Sequence, residues 1–190
     1  ILSDKTGNPD YIAADILAQA EHGGDSVVGF ATDSKALLGK VVKAIDKQVP
    51  TLGRGKIIRD VLKTGTFLLH LKSFEEGVAV SNAFCPEHLS LITAAEKKWL
   101  PKIRTAGAIY LGNDSPVAVG DFLAGPSHTL PTGGAGRSFS GLRADQFQRR
   151  TSIVRLDKKS VRASLSVVEE SARIEGLDAH GRSPAIRLEK

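Results

Sequence analysis

Ser26-Val27-Val28-Gly29-Phe30-Ala31, closed by Asp33 and followed by Leu37, Leu38, Val41, Val42 and Ile45 before Gln48, decides the fold class. The first six residues form a short apolar run without helical spacing, the pattern of a buried strand. The next five apolar positions recur at intervals of three and four, the stripe of an amphipathic helix whose first turn Asp33 caps. The unit repeats in both directions. Upstream, Asn8-Pro9-Asp10 supplies a capping side chain, a proline whose missing N–H costs nothing in the first turn, and an acid favoured by the helix dipole. That helix runs to about Glu21 with Ile12, Ile16, Leu17 and Ala20 inward, and Gly23-Gly24 stops it. Downstream, the pattern predicts helix over 57–63, strand over 67–71, helix over 74–83, strand over 89–93, helix over 95–104 and strand over 108–111. Strands alternating with helices argue for an α/β fold: a mainly parallel sheet with helices on both faces, an incomplete Rossmann-like domain built by right-handed crossovers.

A loop rich in Gly, Pro and Ser follows Leu111, and past Gly141 the pattern changes. A short helix over 144–150, a strand over 152–156 and a long helix over 160–174, with Val161, Leu165, Val168 and Ala172 on one face, make a C-terminal helical tail. The organisation is therefore an α/β domain at 1–142, carrying most metal and catalytic candidates, and a tail at 143–190. The tail has too little apolar mass to fold alone and should pack on the main body or on another subunit.

At 190 residues, 41% hydrophobic and 25% charged, the chain has an ordinary globular composition. No apolar run approaches the roughly 20 residues that span a bilayer, so a membrane role is not expected. Net charge is +5 and dispersed. The basic residues Arg149, Arg150, Arg155, Lys158, Lys159 and Arg162 read as a solvated helical face, and with few aromatic residues to stack on bases, nucleic acid is not expected as a partner. Cys85 is the only cysteine, which excludes an internal disulfide and points to a reducing compartment, the cytoplasm. The opening Ile1-Leu2-Ser3-Asp4, in a chain without methionine, reads as the tail of a strand already under way, so a C-terminal piece of a longer protein is expected.

Four of the five histidines lie in short polar constellations: Gln19-Ala20-Glu21-His22-Gly23, Cys85-Pro86-Glu87-His88-Leu89, Ser127-His128-Thr129 shortly after Gly120-Asp121, and Asp178-Ala179-His180. Imidazole, carboxylate and amide oxygen together form a zinc ligand set, although nitrogen and oxygen donors would also accept manganese or cobalt. Taken singly, each group has a plainer reading. His22 could be a helix-terminal cap, sharing a face with Gln19 three residues earlier. Glu87-His88 could be a polar surface loop, although adjacent Glu and His side chains diverge in extended chain and so suit two separate proton transfers. Asp121 and His128 flank a loop expected near the sheet edge, where α/β proteins bind ligands. Pro131 to Gly136 could be a flexible binding loop or a phosphate cradle, but it lacks the spacing and lysine of a P-loop, and no GxGxxG opens a helix here. Cys85 reads as a small buried hydrophobe rather than a nucleophile. His70, alternating with apolar residues in its strand, reads as a packed or edge histidine.

Taken together, these strings resemble the histidinol dehydrogenase family, the zinc enzymes that complete histidine biosynthesis. The resemblance is carried by Asn8 to Asp15 leading to Gln19-Ala20-Glu21-His22-Gly23, by Pro86-Glu87-His88-Leu89, by Gly120 to Gly134, and by Glu175-Gly176-Leu177-Asp178-Ala179-His180. It covers the whole chain and corresponds to the C-terminal part of the family, somewhat under half its length. Cys85, where the family commonly has glycine or alanine, and Gly134 to Gly141 depart from it. The resemblance implies Gln19, His22, Asp121 and His180 as zinc ligands, Glu87 and His88 as the catalytic pair, and His128 and Glu175 as contacts to L-histidinol. Because zinc also holds the substrate, its ligands and His88 border the substrate as well. It implies NAD as the oxidant, bound mostly by upstream residues, and a homodimer whose tail reaches the partner's site. On this footing the 190-residue chain alone is expected to be inactive. Two alternatives remain: a family paralogue oxidising another polar alcohol, and a non-catalytic metal-binding or dimerisation module, which would have no need of Glu87-His88.

Overall fold

The computed structural model describes residues 1–189 and divides the chain into two compact units, Ile1–Phe147 and Gln148–Lys190. In the first unit, β1 (Leu2–Ser3), α1 (Pro9–Ala20), β2 (Val28–Thr32), α2 (Lys35–Gln48), α3 (Gly55–Thr64), β3 (Thr66–His70), α4 (Phe74–Phe84), β4 (His88–Ile92), α5 (Glu96–Trp99), β5 (Ala108–Leu111) and α6 (Val117–Phe122) follow in order. The five strands form one sheet in the order β3-β2-β1-β4-β5, and every pairing is parallel. This is a doubly wound α/β sheet with helices on both faces, the Rossmann-like order of its first five strands.

The strand alternation explains the two layers. Val28 and Phe30 of β2 and Ile92 of β4 point into a core shared with Ile12, Ile16 and Leu17 of α1, Val41 of α2 and Ile58 and Val61 of α3. Leu2, Ala31, Leu89 and Leu91 point the opposite way, onto Phe74 and Val78 of α4 and Trp99 of α5. The covering helices change face after β3, where strand order turns back across β1. Crossovers of constant hand require that change.

The turn-back defines a crevice at the carboxyl ends of β1 and β4, the place where such sheets usually take a dinucleotide. Here its polar groups are partly engaged within the protein, although an open pocket of about 460 Å³ remains beside Thr93 to Lys98. The Asp4 carboxylate accepts hydrogen bonds from the Thr6 N–H (2.8 Å), the Thr6 hydroxyl, the Thr93 hydroxyl (2.7 Å) and the Ala94 N–H (3.0 Å). The N–H groups of Asp10 and Tyr11 go to the Asn8 side chain, and that of Asn8 goes to Asn113 Oδ1 at 2.7 Å. With Pro9 lacking an N–H, the start of α1 has its donors committed. Burial pushes the Asp4 carboxyl up, but the bonds from Thr6, Thr93 and Ala94 outweigh it and hold it below its ordinary value.

Several local expectations are corrected. Ser34, not Asp33, caps α2, its hydroxyl accepting from the Leu37 N–H. The helix expected over 95–104 is one α turn that tightens to a 3-10 turn at Leu100–Lys102, because Pro101 offers no N–H to continue it. The segment after β5 is not all loop but contains α6. His70 ends the edge strand β3 and is exposed.

The second unit is a helical hairpin of α7 (Lys158–Glu175) and α8 (Asp178–Ile186). Asp157 caps α7 through the Ser160 N–H, and Gly176 ends it in the left-handed conformation. Gly181 of α8 faces Ala172 of α7, where a Cβ would make an ordinary 3.4 Å contact with Cβ of Ala172. The strand expected over 152–156 does not form. A strand needs a ladder partner, and Ile153 and Val154 are instead 92% and 79% exposed.

Candidate functional site

The candidate residues of the first unit collect at the amino-terminal edge of the sheet, opposite the switch-point crevice. Leu2 pairs with both Ala31 and Leu91, so Val28 and His88, each three residues earlier, stand level on either side of β1, roughly 10 Å apart at ordinary strand spacing. Glu87 and His88 enter β4 at this level, both half-buried. Gln19 occupies the last turn of α1 and is half-buried. His22 follows it, exposed, with its N–H donating to Gln19 O at 3.3 Å. Both lie on the connection that descends from α1 to the start of β2.

Asp121 reaches the same edge by a different path. After β5 the chain turns at Pro116, and α6 runs back along the strand. Gly120 rests on the Tyr110 ring: a Cβ at Gly120 would fall 2.3 Å from both Cε1 and Oη of Tyr110. The next residue, Asp121, places Oδ1 3.2 Å from Nε2 of His88, with side chains 19% and 16% exposed. The pair is at ion-pair distance but lacks the alignment of a hydrogen bond, and each of these two atoms is buried without a hydrogen-bond partner. Tyr110 packs its ring against His88, centroids 6.0 Å apart. Burial, then the negative charges of Asp121 and Glu87, push its hydroxyl pKa up, so it stays a protonated phenol.

His128 is exposed and lines a cavity of about 830 Å³ beside Tyr110, between β5, α6 and the returning loop with Leu130, Leu142 and Arg143. The loop is tied back by Arg137, whose guanidinium donates to Ala83 O. Glu175 and His180 belong to the second unit and are exposed there. Cys85 caps α4 in the left-handed conformation, φ 57°, with its thiol buried and donating to Asn82 O.

The arrangement thus brings Glu87, His88 and Asp121 to one edge, with Gln19 and His22 on the neighbouring connection. Among the described residues, no three His, Cys, Asp or Glu side chains gather as a metal site. The donor types still suit a cation, and the partnerless Asp121 Oδ1 is a buried carboxylate oxygen of the kind that one would satisfy. Chemically, an imidazole beside a carboxylate can accept and return a proton, and a second carboxylate next to it can activate water. Tyr110 was missed in the sequence, and Gly120 was read there only as the neighbour of Asp121. Their signal lies in the pairing of β5 with β4 and the return of α6, which no local pattern displays.

Comparison with known proteins adds the lineage. The sequence model of one family, described as histidinol dehydrogenase, matches residues 1–188. The histidinol dehydrogenase of Syntrophotalea carbinolica is 41% identical over 189 residues, covering 99% of this chain and 44% of that protein. The Geobacter metallireducens enzyme is 40% identical, with 99% and 43% covered. The crystal structure of histidinol dehydrogenase from Elizabethkingia anophelis superposes with a TM-score of 0.93 at 35% identity, covering 98% of this chain and 43% of that one. The chain belongs to the histidinol dehydrogenase family and spans under half the length of these relatives.

Proposed function

We propose that this chain is the C-terminal part of a cytoplasmic histidinol dehydrogenase that oxidises L-histidinol through L-histidinaldehyde to L-histidine in two successive NAD-linked steps. The observation that supports the reading is the His88–Asp121 pair, two buried polar atoms 3.2 Å apart with no hydrogen-bond partners, in a chain of that family.

In this mechanism His88 accepts the alcohol proton as hydride leaves the carbon. Glu87 activates the water that adds to the aldehyde, and His88, after releasing its first proton to solvent, accepts a second as the hydrated aldehyde is oxidised. Divergence of the two side chains at the start of β4 lets each face its own proton. Gln19, His22 and Asp121, with His180 from the 143–190 tail of a partner subunit, would hold zinc. Bound there, zinc supplies a Lewis-acidic anchor that orients the imidazole and amino nitrogens of the substrate. His128 and Glu175 contact histidinol, and NAD supplies the hydride acceptor from a site formed mostly outside this chain. This chain alone is therefore inactive.

The test is L-histidinol-dependent NADH formation by the zinc-loaded whole enzyme. His88→Asn is expected to lower kcat by about a hundredfold or more, the ordinary contribution of a positioned acid-base group. Glu87→Gln should stall the second oxidation more than the first. A whole enzyme that prefers an alcohol without imidazole would refute the assignment in favour of a paralogue. Unchanged turnover in both variants would remove the proposed catalytic pair.

A further inference from the structure

We infer that Tyr110 is a positioning residue for His88, its ring seating α6 so that Asp121 faces the imidazole. The inference deepens the histidinol-oxidising reading and rests on it for its kinetic test.

Three contacts converge on the Tyr110 ring. The register pairs His88 with Ala108 and Ser90 with Tyr110, so His88 and Tyr110 project from adjacent strands on the same face, opposite to Leu89 and Leu91. Their rings meet at 6.0 Å and 34°. The hydroxyl-bearing tip of the phenol ring lies against the backbone of Gly120, where a Cβ would come within 2.3 Å of Cε1 and Oη and 2.6 Å of Cζ. Any side chain at residue 120 therefore displaces either the ring or α6. Asp121 is the next residue, and its Oδ1 is 3.2 Å from His88 Nε2. One rigid side chain thus meets both the imidazole and the short helix that delivers the carboxylate.

β5 is an edge strand, and α6 is a helix of only six residues. Neither element is stiff enough to fix a carboxylate to a fraction of an ångström without a third contact. A flat six-membered ring fixes both distances at once, and no acyclic side chain has that shape. The brace is assigned to the ring, which Tyr110→Phe keeps, although Oη lies as near Gly120 as Cε1 does.

The experiment is steady-state kinetics of the zinc-saturated whole enzyme with L-histidinol for four proteins: Tyr110→Phe, Tyr110→Leu, Gly120→Ala, and Tyr110→Leu with Gly120→Ala. Because a misplacement of about 1 Å can lower turnover about a hundredfold, Tyr110→Leu and Gly120→Ala are each expected to lower kcat at least about tenfold. KM should change by less than about threefold, and Tyr110→Phe should stay within about twofold of wild type. The double variant should lose no more than the worse single one, since both break the same contact. Wild-type kcat in Tyr110→Leu overturns the inference, as does a Tyr110→Phe loss equal to that of Tyr110→Leu, which would make the hydroxyl the working group. A wild-type enzyme inactive on histidinol would refute the functional reading and leave the brace to its second readout, the His88 Hε1 chemical shift in Gly120→Ala. That shift moves if α6 is seated by the ring, although no ring has been removed, and an unmoved shift overturns the inference.

Discussion

Replacing Asp4 by alanine removes the carboxylate that ties the carboxyl end of β1 to that of β4, and the structure sets the size of the loss. Four hydrogen bonds end on this side chain. The two from Thr6 and the one from the Ala94 N–H come from exposed groups, which water can satisfy, so they contribute only a fraction of a charge-assisted bond. The Thr93 hydroxyl is different: Thr93 is 8% exposed, and its oxygen already accepts from the Ala95 N–H. Its proton loses its acceptor in a dry position, a loss of about 1–3 kcal/mol. With the discounted remainder, the expected destabilisation is about 2–4 kcal/mol, large against a total of roughly 5–15 kcal/mol. The assay is urea unfolding followed by Trp99, the only tryptophan, which is buried in the first unit and reports on that unit. At an m-value of about 1–3 kcal/mol/M, the midpoint should fall by about 1–2 M. The pH dependence follows from the depressed Asp4 pKa. Its stabilisation is complete above the unfolded-state value of about 4 and is lost as pH falls through the lower folded value. The gap between wild type and Asp4→Ala should therefore be constant from pH 7 to about 5 and should narrow below about 4. A midpoint within about 0.3 M of wild type at pH 7, or a gap unchanged at about pH 3, would refute the clasp.

One further outcome is expected. At Cys85 the left-handed backbone, φ 57°, reverses the usual helix preference. Cys85→Gly relieves about 1 kcal/mol of strain that Cys85→Ala keeps, so thermal unfolding should rank the glycine variant at or above the alanine one, and the opposite order would refute the strain.

The fold was legible because its signals are local. Asn8-Pro9-Asp10 starts α1, apolar runs give the strands, and stripes at three and four give the helices that cover them. Errors arose where a non-local term decided. Ser152 to Leu156 has strand-forming side chains, yet a strand exists only where a second backbone offers a ladder. Pro101 shortened a helix that its flanking residues favoured. Ser34 took the cap from Asp33 because the strand runs to Thr32, and the chain needs one more extended residue before it can coil. In the candidate site, residue types could be read from Glu87-His88 and Gly120-Asp121, but the approach of Asp121 to His88 could not. It depends on α6 folding back along β5, and the only sequence trace of that is a glycine at residue 120, one of nineteen in the chain.

The two ends of the sheet divide the roles. At the carboxyl edge Asp4 and Asn8 find partners within the protein, beside a pocket lined by Thr93 to Lys98. At the amino edge His88 Nε2 and Asp121 Oδ1 are buried, face each other at 3.2 Å and make no hydrogen bond. Selection for stability alone would rotate Asp121 to water, which the exposed neighbours Phe122 and Leu123 show to be close at hand. Instead the backbone of Gly120 on the Tyr110 ring keeps the carboxylate turned inward. Buried polar atoms without hydrogen bonds also occur at Ser81 and Ser90, but only the His88–Asp121 pair joins an imidazole to a carboxylate, and that chemistry is what the proposed function uses.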